Sequence, residues 1–259
     1  MLRIEGARKT FNPGTPDEKR AIDGLDLHLS PGEFVTVIGS NGAGKSTLLN
    51  LIAGSYTTDE GEVFIDGDRV TDYGEHRRAA YLGRIFQDPL MGTAASMTIE
   101  ENLAMAELRG KPRGLRWGVT KARRVDYRER LTQMGLGLET RLKHSVSLLS
   151  GGQRQSLTLL MATLTLPKVL LLDEHTAALD PKTAHTVMDL TEEVITTNRL
   201  TALMVTHNMR QAIRFGNRMI MLHEGRIQFD VKGDEKAALT VQEVVARFGG
   251  TLNDEALLS

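Results

Sequence analysis

The sequence contains no cysteine, and this absence excludes several kinds of chemistry at once. A chain without thiols has no disulfide, no thiol nucleophile and no cysteine-ligated zinc or iron–sulfur site. The sequence also lacks an apolar run of about 18 residues, the length that a membrane-spanning helix needs. Its first residues mix charged and apolar side chains, so no signal peptide is predicted. We therefore expect a soluble protein of the cytosol that reaches a membrane only through a partner.

An excess of charge of one sign is lacking too, because 32 Lys and Arg residues face 33 Asp and Glu residues. Such a balance gives no overall electrostatic reason to bind nucleic acid, and we expect no nucleic-acid partner. Seven basic residues and Trp117 do cluster between residues 109 and 124. We interpret this stretch as a solvated surface loop, with contact to lipid headgroups or to a membrane protein as the alternative.

Short runs of Val, Ile and Leu alternate with stretches of helical periodicity. The runs at residues 34–38, 169–172 and 201–205 are typical of strands buried on both faces of a parallel sheet. Helical spacing covers residues 47–53 and 181–197. The alternation predicts an α/β core.

Other segments predict additions to this core. Two hairpins are expected at residues 62–70 and 218–229, with turns at Asp66-Gly67 and Glu224-Gly225. The first hairpin indicates an antiparallel sheet beside the core. From residue 91 to 148 the strand signal fades. Helical spacing then covers residues 99–108, 125–134 and 154–164, and an amphipathic helix is expected at 239–248. We predict an inserted helical subdomain.

A phosphate-binding loop is the clearest motif, and its residues are Gly39, Ser40, Asn41, Gly42, Ala43, Gly44, Lys45 and Ser46. It follows a predicted strand and opens a predicted helix, as this pattern requires, which argues against a simple glycine turn. Backbone N–H groups of such a loop curl around phosphate oxygens, and Lys45 adds positive charge at the β- and γ-phosphates. Ser46 is the candidate Mg²⁺ ligand, and Thr47 completes the candidate nucleotide site.

Two acids and a histidine follow the other predicted parallel strands. Asp173 is suited to hold Mg²⁺ through water, and Glu174 is suited to orient or deprotonate an attacking water. His207 follows the strand at 201–205, so it lies at the same carboxyl edge and can donate to a γ-phosphate. The alternatives are two solvated acids and a structural or helix-capping histidine.

The run Leu149-Ser150-Gly151-Gly152-Gln153 resembles the signature motif of ABC (ATP-binding cassette) ATPases, and it lies upstream of Asp173 as it does in that family. The resemblance covers nearly the whole chain. It implies a P-loop NTPase core with a mostly parallel sheet, an antiparallel β subdomain and an inserted α-helical signature subdomain. It also implies roles for further residues: Phe11 stacks on adenine, Gln87 senses Mg²⁺ and the attacking water, Asp180 ends the D-loop, Glu174 is the catalytic glutamate, and His207 is the switch histidine.

The same resemblance implies how the protein works. Two subunits, identical or different ABC ATPases, close head to tail around two MgATP, with Ser150 and Gly152 of one facing the γ-phosphate held by Lys45 of the other. Hydrolysis opens this sandwich. Residues 87–101 are then the candidate groove for an integral membrane permease, which would hold the subunit at the cytoplasmic face of the membrane and would receive solute from a binding protein.

Residues 1–259 are read as one ABC ATPase domain, divided at residues 90 and 164 around the helical signature subdomain. The stretches at 171–181 and 204–209 resemble ATPases paired with branched-chain-amino-acid-type permeases, which favours import of an amino acid or a similar small polar solute. A soluble ABC ATPase that does mechanical or regulatory work on a protein or nucleic acid is the alternative.

One departure from the family pattern is His175, which stands where proline usually follows the catalytic glutamate. It places a titratable group beside the general base, so either the loop geometry or the pH response would differ from that of the family. The alternative is that it replaces proline without kinetic consequence.

Overall fold

Two β-sheets and nine α-helices form the part of the chain that the computed structural model describes, residues 1–111 and 118–248. The strands are β1 (Leu2–Phe11), β2 (Lys19–Leu29), β3 (Phe34–Ile38), β4 (Glu60–Ile65), β5 (Asp68–Arg69), β6 (Leu82–Ile85), β7 (Val169–Asp173), β8 (Thr201–Val205), β9 (Arg218–His223) and β10 (Arg226–Lys232). The helices are α1 (Lys45–Ala53), α2 (Glu75–Arg78), α3 (Ile99–Glu107), α4 (Lys121–Gln133), α5 (Gly151–Thr163), α6 (Pro181–Thr197), α7 (Met209–Arg214), α8 (Gly233–Ala237) and α9 (Val241–Phe248).

The larger sheet has six strands in the order β10-β9-β3-β8-β7-β6. All its pairs are parallel except β9 with β10, which form the hairpin expected around Glu224-Gly225. Strands β3 and β8 are buried along their whole length, in keeping with their continuous apolar sequences. The carboxyl ends of β3, β7 and β8 therefore meet at one edge of the sheet.

The smaller sheet is antiparallel and has the order β2-β1-β4-β5. Apolar residues of β1, β2 and β4 share one core with α1 and with one face of the larger sheet. Gly44 and Gly225 close this junction: a Cβ on Gly44 would lie 2.5 Å from the carbonyl oxygen of Ala21 in β2, and one on Gly225 would lie 2.8 Å from it. The phosphate-loop segment is thus held against the antiparallel sheet.

Between β6 and β7 the described residues contain helices and no strand. Helices α3, α4 and α5 enclose a separate apolar core that includes Leu103, Tyr127, Leu131 and Leu157. Thr98 begins α3 with a capping box to Glu101, and Thr120 caps α4. The expected α/β fold with a mostly parallel sheet, an antiparallel β subdomain and an inserted helical segment is confirmed.

The basic stretch contributes to the structure of this insert, which was not expected. Arg109 donates to the carbonyls of Met161 and Ala162 at the end of α5, and Arg124 pairs with Glu100 in a bidentate contact of 2.7 and 2.9 Å. Burial lowers the pKa of Arg109. The interpretation as a solvated loop is therefore wrong for these two residues, while Arg113, Arg116 and Trp117 lie outside the described residues.

The element boundaries differ from the sequence prediction by a few residues. Helix α4 begins at Lys121 rather than at residue 125, because its first turn is polar and carries no apolar periodicity. Helix α5 begins at Gly151 rather than at residue 154, because Ser150 caps it. The prediction of α6 from Pro181 to Thr197 is confirmed at both ends. No helix in the described ranges has the length and apolar character needed to cross a membrane.

Candidate active site

The phosphate-binding loop connects β3 to α1, so its residues lie at the carboxyl edge of the larger sheet. Gly39, Gly42 and Gly44 have positive φ angles of 153°, 81° and 106°. A Cβ on Gly39 would lie 2.3 Å from the carbonyl oxygen of Leu222, so the loop also lacks room for a side chain there. Glycine is thus required by both conformation and space.

Lys45 is folded into this loop. Its side chain is buried, and Nζ donates to the carbonyls of Gly39 at 2.5 Å and Ser40 at 3.1 Å. Ser46 and Asn41 are exposed, whereas Ala43 and Gly44 are buried, and Thr47 is half-buried. The loop therefore carries a positive charge within it and presents backbone and hydroxyl groups on its outer surface.

Glu174 and His207 come together at the same edge. Glu174 follows β7, and its N–H donates to the carbonyl of Val205 at the end of β8. His207 Nδ1 lies 3.1 Å from Glu174 Oε2 and donates to it when it carries the proton. The backbone of Glu174 has a φ of 42°, in the left-handed region that a residue other than glycine seldom adopts. Both residues line a cleft of about 450 Å³.

Asp173 lies beside them and faces Arg84 of β6. The Arg84 guanidinium is 3.5 Å from the carboxylate of Asp173 and also donates to the side chain of Asn50 at 2.9 Å. Burial raises the pKa of Asp173, while the charge of Arg84 acts in the opposite direction. Gln87, Asn50, Arg84 and Asp173 line one cleft of about 640 Å³. Gln87 and Asp173, both predicted from the sequence to hold Mg²⁺, thus line the same cleft.

The donor set at this edge fits Mg²⁺. Ser46 offers an exposed hydroxyl oxygen, Asp173 a carboxylate and Gln87 an amide oxygen, and these hard oxygen ligands are what Mg²⁺ prefers beside phosphates. Within residues 1–111 and 118–248 no cluster of three His, Asp or Glu residues forms a separate metal cage. A site of this kind relies on substrate phosphates to complete the coordination.

Phe11 is the last residue of β1 and is half-buried. Its ring meets that of Tyr56 edge to face, with 5.3 Å between centroids, and the ammonium of Lys9 is 5.8 Å from its centroid. Phe11 is therefore not a core residue, which was the ordinary alternative for an aromatic after a first strand. Part of its surface is exposed at the end of the strand.

The signature residues form the start of α5. Ser150 Oγ accepts from the N–H of Gln153, and Gln153 Oε1 accepts from the N–H of Ser150, each at 3.3 Å. This capping box uses the Ser150 oxygen as an acceptor and leaves its hydroxyl proton to donate. Ser150 and Gly151 are exposed.

Gly152, in contrast, is buried against α6. A Cβ at this position would lie 2.2 Å from Thr183 Cγ2 and 3.7 Å from Thr183 Cβ, so a side chain here would strike the methyl group of Thr183. Asp180 caps α6 by accepting from the N–H of Thr183 at 3.1 Å. The signature segment and the D-loop residue Asp180 are thus joined through Thr183.

His175 is fully buried and donates from Nε2 to Thr191 Oγ1 of α6 at 3.2 Å, because the Thr191 hydroxyl itself donates to the carbonyl of Val187. Burial lowers the pKa of His175 to about 4. The ring is neutral near pH 7, so the expectation that it adds a titrating group beside Glu174 does not hold there. Its observed contact links the loop that follows β7 to α6.

Sequence reasoning missed two residues of this site. Arg84 lies in β6, a strand too short for its pattern to stand out, and nothing local indicated its contact with Asp173. Gln155 of α5 donates to the carbonyl of Phe86 at 3.2 Å, so it joins the signature helix to the residue before Gln87. A buried polar residue within an apolar helical stretch was the available signal for Gln155.

Fold and site together define a phosphate-binding α/β cassette with an acid pair at the end of a parallel strand. Residues 22–177 match the family model described as ABC transporter. The chain is 44% identical over 248 residues to a tyrosine transport ATP-binding protein of Clostridioides difficile (strain R20291), covering 96% of this chain and 98% of that protein. The chain therefore belongs to the ABC transporter family, as its ATP-binding, ATP-hydrolysing subunit.

Two further comparisons agree with this membership. The spermidine/putrescine import ATP-binding protein PotA of Escherichia coli (strain K12) is 32% identical over 253 residues, and the match covers 98% of this chain but only 62% of PotA. Among solved structures, the ATP-binding cassette MJ0796, a dimer in a post-hydrolysis state with ADP and Pi, superposes with a TM-score of 0.75 at 31% identity, covering 90% of this chain and 98% of that one. The expected family and its α/β fold are confirmed.

Proposed function

We propose that Glu174 is the general base for ATP hydrolysis and that His207 positions it. The observation that carries this proposal is the contact between His207 Nδ1 and Glu174 Oε2, which occupies one carboxylate oxygen and leaves the other for water. The left-handed backbone of Glu174 supports it, because such strain persists at sites that use it. Glu174 takes a proton from water as the water oxygen attacks the γ-phosphorus, and ADP leaves.

The phosphates bind to the loop at residues 39–47. Backbone N–H groups and Lys45 hold the β- and γ-phosphates, and Phe11 stacks on the adenine. Ser46, Gln87 and Asp173 would hold Mg²⁺, which would neutralise charge that develops on the phosphates. Arg84 keeps the Asp173 carboxylate in place at 3.5 Å. Lys45→Ala removes the positive charge of the loop, so we expect it to weaken ATP binding itself and not only the rate of hydrolysis.

The second half of the site comes from another subunit. Ser150 and the first N–H groups of α5 form the N-terminus of a 13-residue helix. The free N–H groups and the helix dipole attract an anion to this end. We propose that Ser150, Gly151, Gly152 and Gln153 close on the γ-phosphate of a partner ATPase subunit, identical or different, and that Asp180 lies at that interface. The relative described as a dimer in a post-hydrolysis state supports this arrangement.

The partner in the membrane is a separate permease. A cleft of about 820 Å³ lies between residues 73–84 of the core and the ends of α3 and α5, and its basic lining includes His76, Arg77 and Lys111. Gly92 lines it as well, within the candidate groove at residues 87–101, and nearby Met91 is 69% exposed. We propose that this cleft receives an acidic cytoplasmic segment of the permease and holds the subunit at the cytoplasmic membrane face.

The transported solute is an amino acid or a similar small polar molecule, received from a solute-binding protein. This rests on the tyrosine transport ATP-binding protein, which is similar over nearly its whole length. We propose that residues 1–259 act as one ATPase domain in this role, with residues 91–164 as the helical signature subdomain. The alternative, a soluble ABC ATPase with mechanical or regulatory work, has no specific observation in its favour.

The test of the catalytic assignment is Glu174→Gln. The amide keeps the shape of the side chain but accepts no proton, so MgATP hydrolysis should fall by about 100-fold or more while ATP affinity is retained. Steady-state phosphate release and equilibrium binding of a fluorescent ATP analogue measure the two quantities. Undiminished turnover in this variant would remove Glu174 from the role of general base.

A further inference from the structure

The hairpin of β1 and β2 ends beside the phosphate-binding loop, and its last residue pair is Phe11 with Lys19. Residues directly opposite in an antiparallel pair have side chains on the same face, with Cβ atoms about 4.5–5.5 Å apart. Lys19 therefore shares a face with the ring to which we assign the adenine. Its side chain is exposed, as expected for a first strand residue.

The ammonium of Lys19 lies on the phosphate-binding loop itself. A Cβ built on Gly42 would be 3.0 Å from Lys19 Nζ and 3.9 Å from Lys19 Cε. Gly42 is exposed and has a φ of 81°, so it lies on the outer side of the loop. Lys45 approaches the same loop from within, through the carbonyls of Gly39 and Ser40. The loop is thus flanked by two ammonium groups on different sides.

Among the described residues, no acid pairs with the ammonium of Lys19. Neighbouring cations of the same sheet are paired, Lys9 with Asp59 at 2.7 Å and Arg8 with Glu60 at 2.8 Å. Lys19, in contrast, forms no hydrogen bond or ion pair within residues 1–111 and 118–248. An ammonium held over a phosphate loop without an acid partner has an anion as its natural ligand.

We infer that Lys19 is a further nucleotide-binding residue, which contacts the phosphate chain of ATP and ADP from the side opposite to Lys45. This inference rests on the proposed binding of nucleotide at residues 39–47. If the base of a nucleotide stacks on Phe11 and its terminal phosphates bind at Lys45, the part of the nucleotide between them runs past the ammonium of Lys19. Gly42 is required there by its φ of 81°, whereas a Cβ at that position would meet only the flexible end of the Lys19 side chain.

The experiment compares Lys19→Met with Arg20→Met by titration calorimetry using ATP, ADP and adenosine. Arg20 is the matched control, because it is the next residue of β2, points to the other face and pairs with Asp23 at 3.5 Å. We expect Lys19→Met to weaken ATP and ADP binding about fivefold at low salt, as a partly exposed charge pair does, and to leave adenosine binding unchanged. Arg20→Met should match the wild type for all three ligands, and Lys19→Arg should restore ADP binding.

Two results would overturn the inference. Wild-type affinity for ADP in Lys19→Met would show that the ammonium does not reach the phosphates. An equal loss of adenosine affinity would show that the substitution acts through the base site and not through phosphate. In either case the proposed function stands if Lys45→Ala loses ATP binding; if wild-type protein binds neither ATP nor ADP, the proposed function and this inference fail together.

Discussion

The close approach of α5 and α6 at Gly152 allows a quantitative prediction about the signature segment. An alanine methyl at this position would lie 2.2 Å from Thr183 Cγ2, well inside van der Waals contact. Relief needs a different Thr183 rotamer or a shift of the start of α5, and overpacking of this kind costs about 1–3 kcal/mol. The better helix propensity of alanine offsets at most about 1 kcal/mol. These two ranges combine to a loss of about 0–3 kcal/mol, and we expect Gly152→Ala to lower the free energy of unfolding by about 1–2 kcal/mol, the middle of that range.

For a chain of this length, such a loss corresponds to a fall in Tm of about 2–8 °C, which differential scanning calorimetry measures directly. The control is Thr183→Ser, which removes the methyl group that alanine would strike but keeps the hydroxyl. Combined with Gly152→Ala it should recover most of the lost stability, giving a favourable coupling in the double-mutant cycle. A Gly152→Ala protein as stable as the wild type, or no recovery in the double variant, would refute the packing argument.

Three other variants test the phosphate loop, the adenine contact and the buried histidine in turn. Lys45→Ala should weaken ATP binding about 10- to 100-fold, because it removes charge-assisted hydrogen bonds to phosphate; unchanged affinity by calorimetry would contradict the proposed site. Phe11→Ala should cost about 1–3 kcal/mol of ATP binding through lost stacking but leave the affinity for inorganic triphosphate unaltered, and an equal loss for both ligands would exclude stacking. His175 has a pKa of about 4 in the folded protein, so between pH 6.5 and 4 the unfolded chain binds a proton that the folded one does not, and stability falls as pH drops. His175→Gln removes this proton uptake, so its free energy of unfolding should fall by up to about 3 kcal/mol less than that of the wild type between pH 6.5 and 4. Thermal unfolding of both proteins across this pH range measures the effect. A stability difference between the two proteins that does not vary with pH would count against a buried neutral ring.

Much of the fold followed from local pattern. Strands β3, β7 and β8 are continuous apolar runs, and α6 has a capping Asp180, a proline at its first position and a strong apolar period, so its limits were predicted at both ends. Strand β6 was missed because four residues carry too little periodicity. The start of α4 was missed because its first turn is polar, where propensity and capping decide the boundary instead of burial.

The candidate site was predictable where chemistry needs particular residues at fixed spacing. The phosphate loop and the pair Asp173-Glu174 are recognisable from sequence patterns. The parallel sheet then brings His207 to within 3.1 Å of Glu174. Contacts between distant segments were not predictable. Arg84 of β6 reaches Asp173 of the neighbouring strand β7, a contact that depends on strand order and register within the larger sheet. Lys19 reaches Gly42 from the tip of a hairpin, a contact that depends on how the two sheets pack.

His175 shows why a residue's chemistry does not follow from its identity alone. Next to a general base, a histidine of ordinary pKa would titrate near pH 7. Its burial against Thr191 keeps it neutral there, because nothing compensates a charge at that position. In place of proline, the chain thus has a neutral side chain that ties the loop after β7 to α6.

The closure of two subunits around ATP is tested most directly by the molar mass of the Glu174→Gln protein, measured by light scattering with and without MgATP. We predict a shift from one chain's 28.6 kDa to twice that value, since binding is kept while hydrolysis is blocked. MgADP should leave the mass unchanged, and adding Lys45→Ala should abolish the shift. A mass that stays at one chain while the variant is saturated with MgATP would contradict the sandwich.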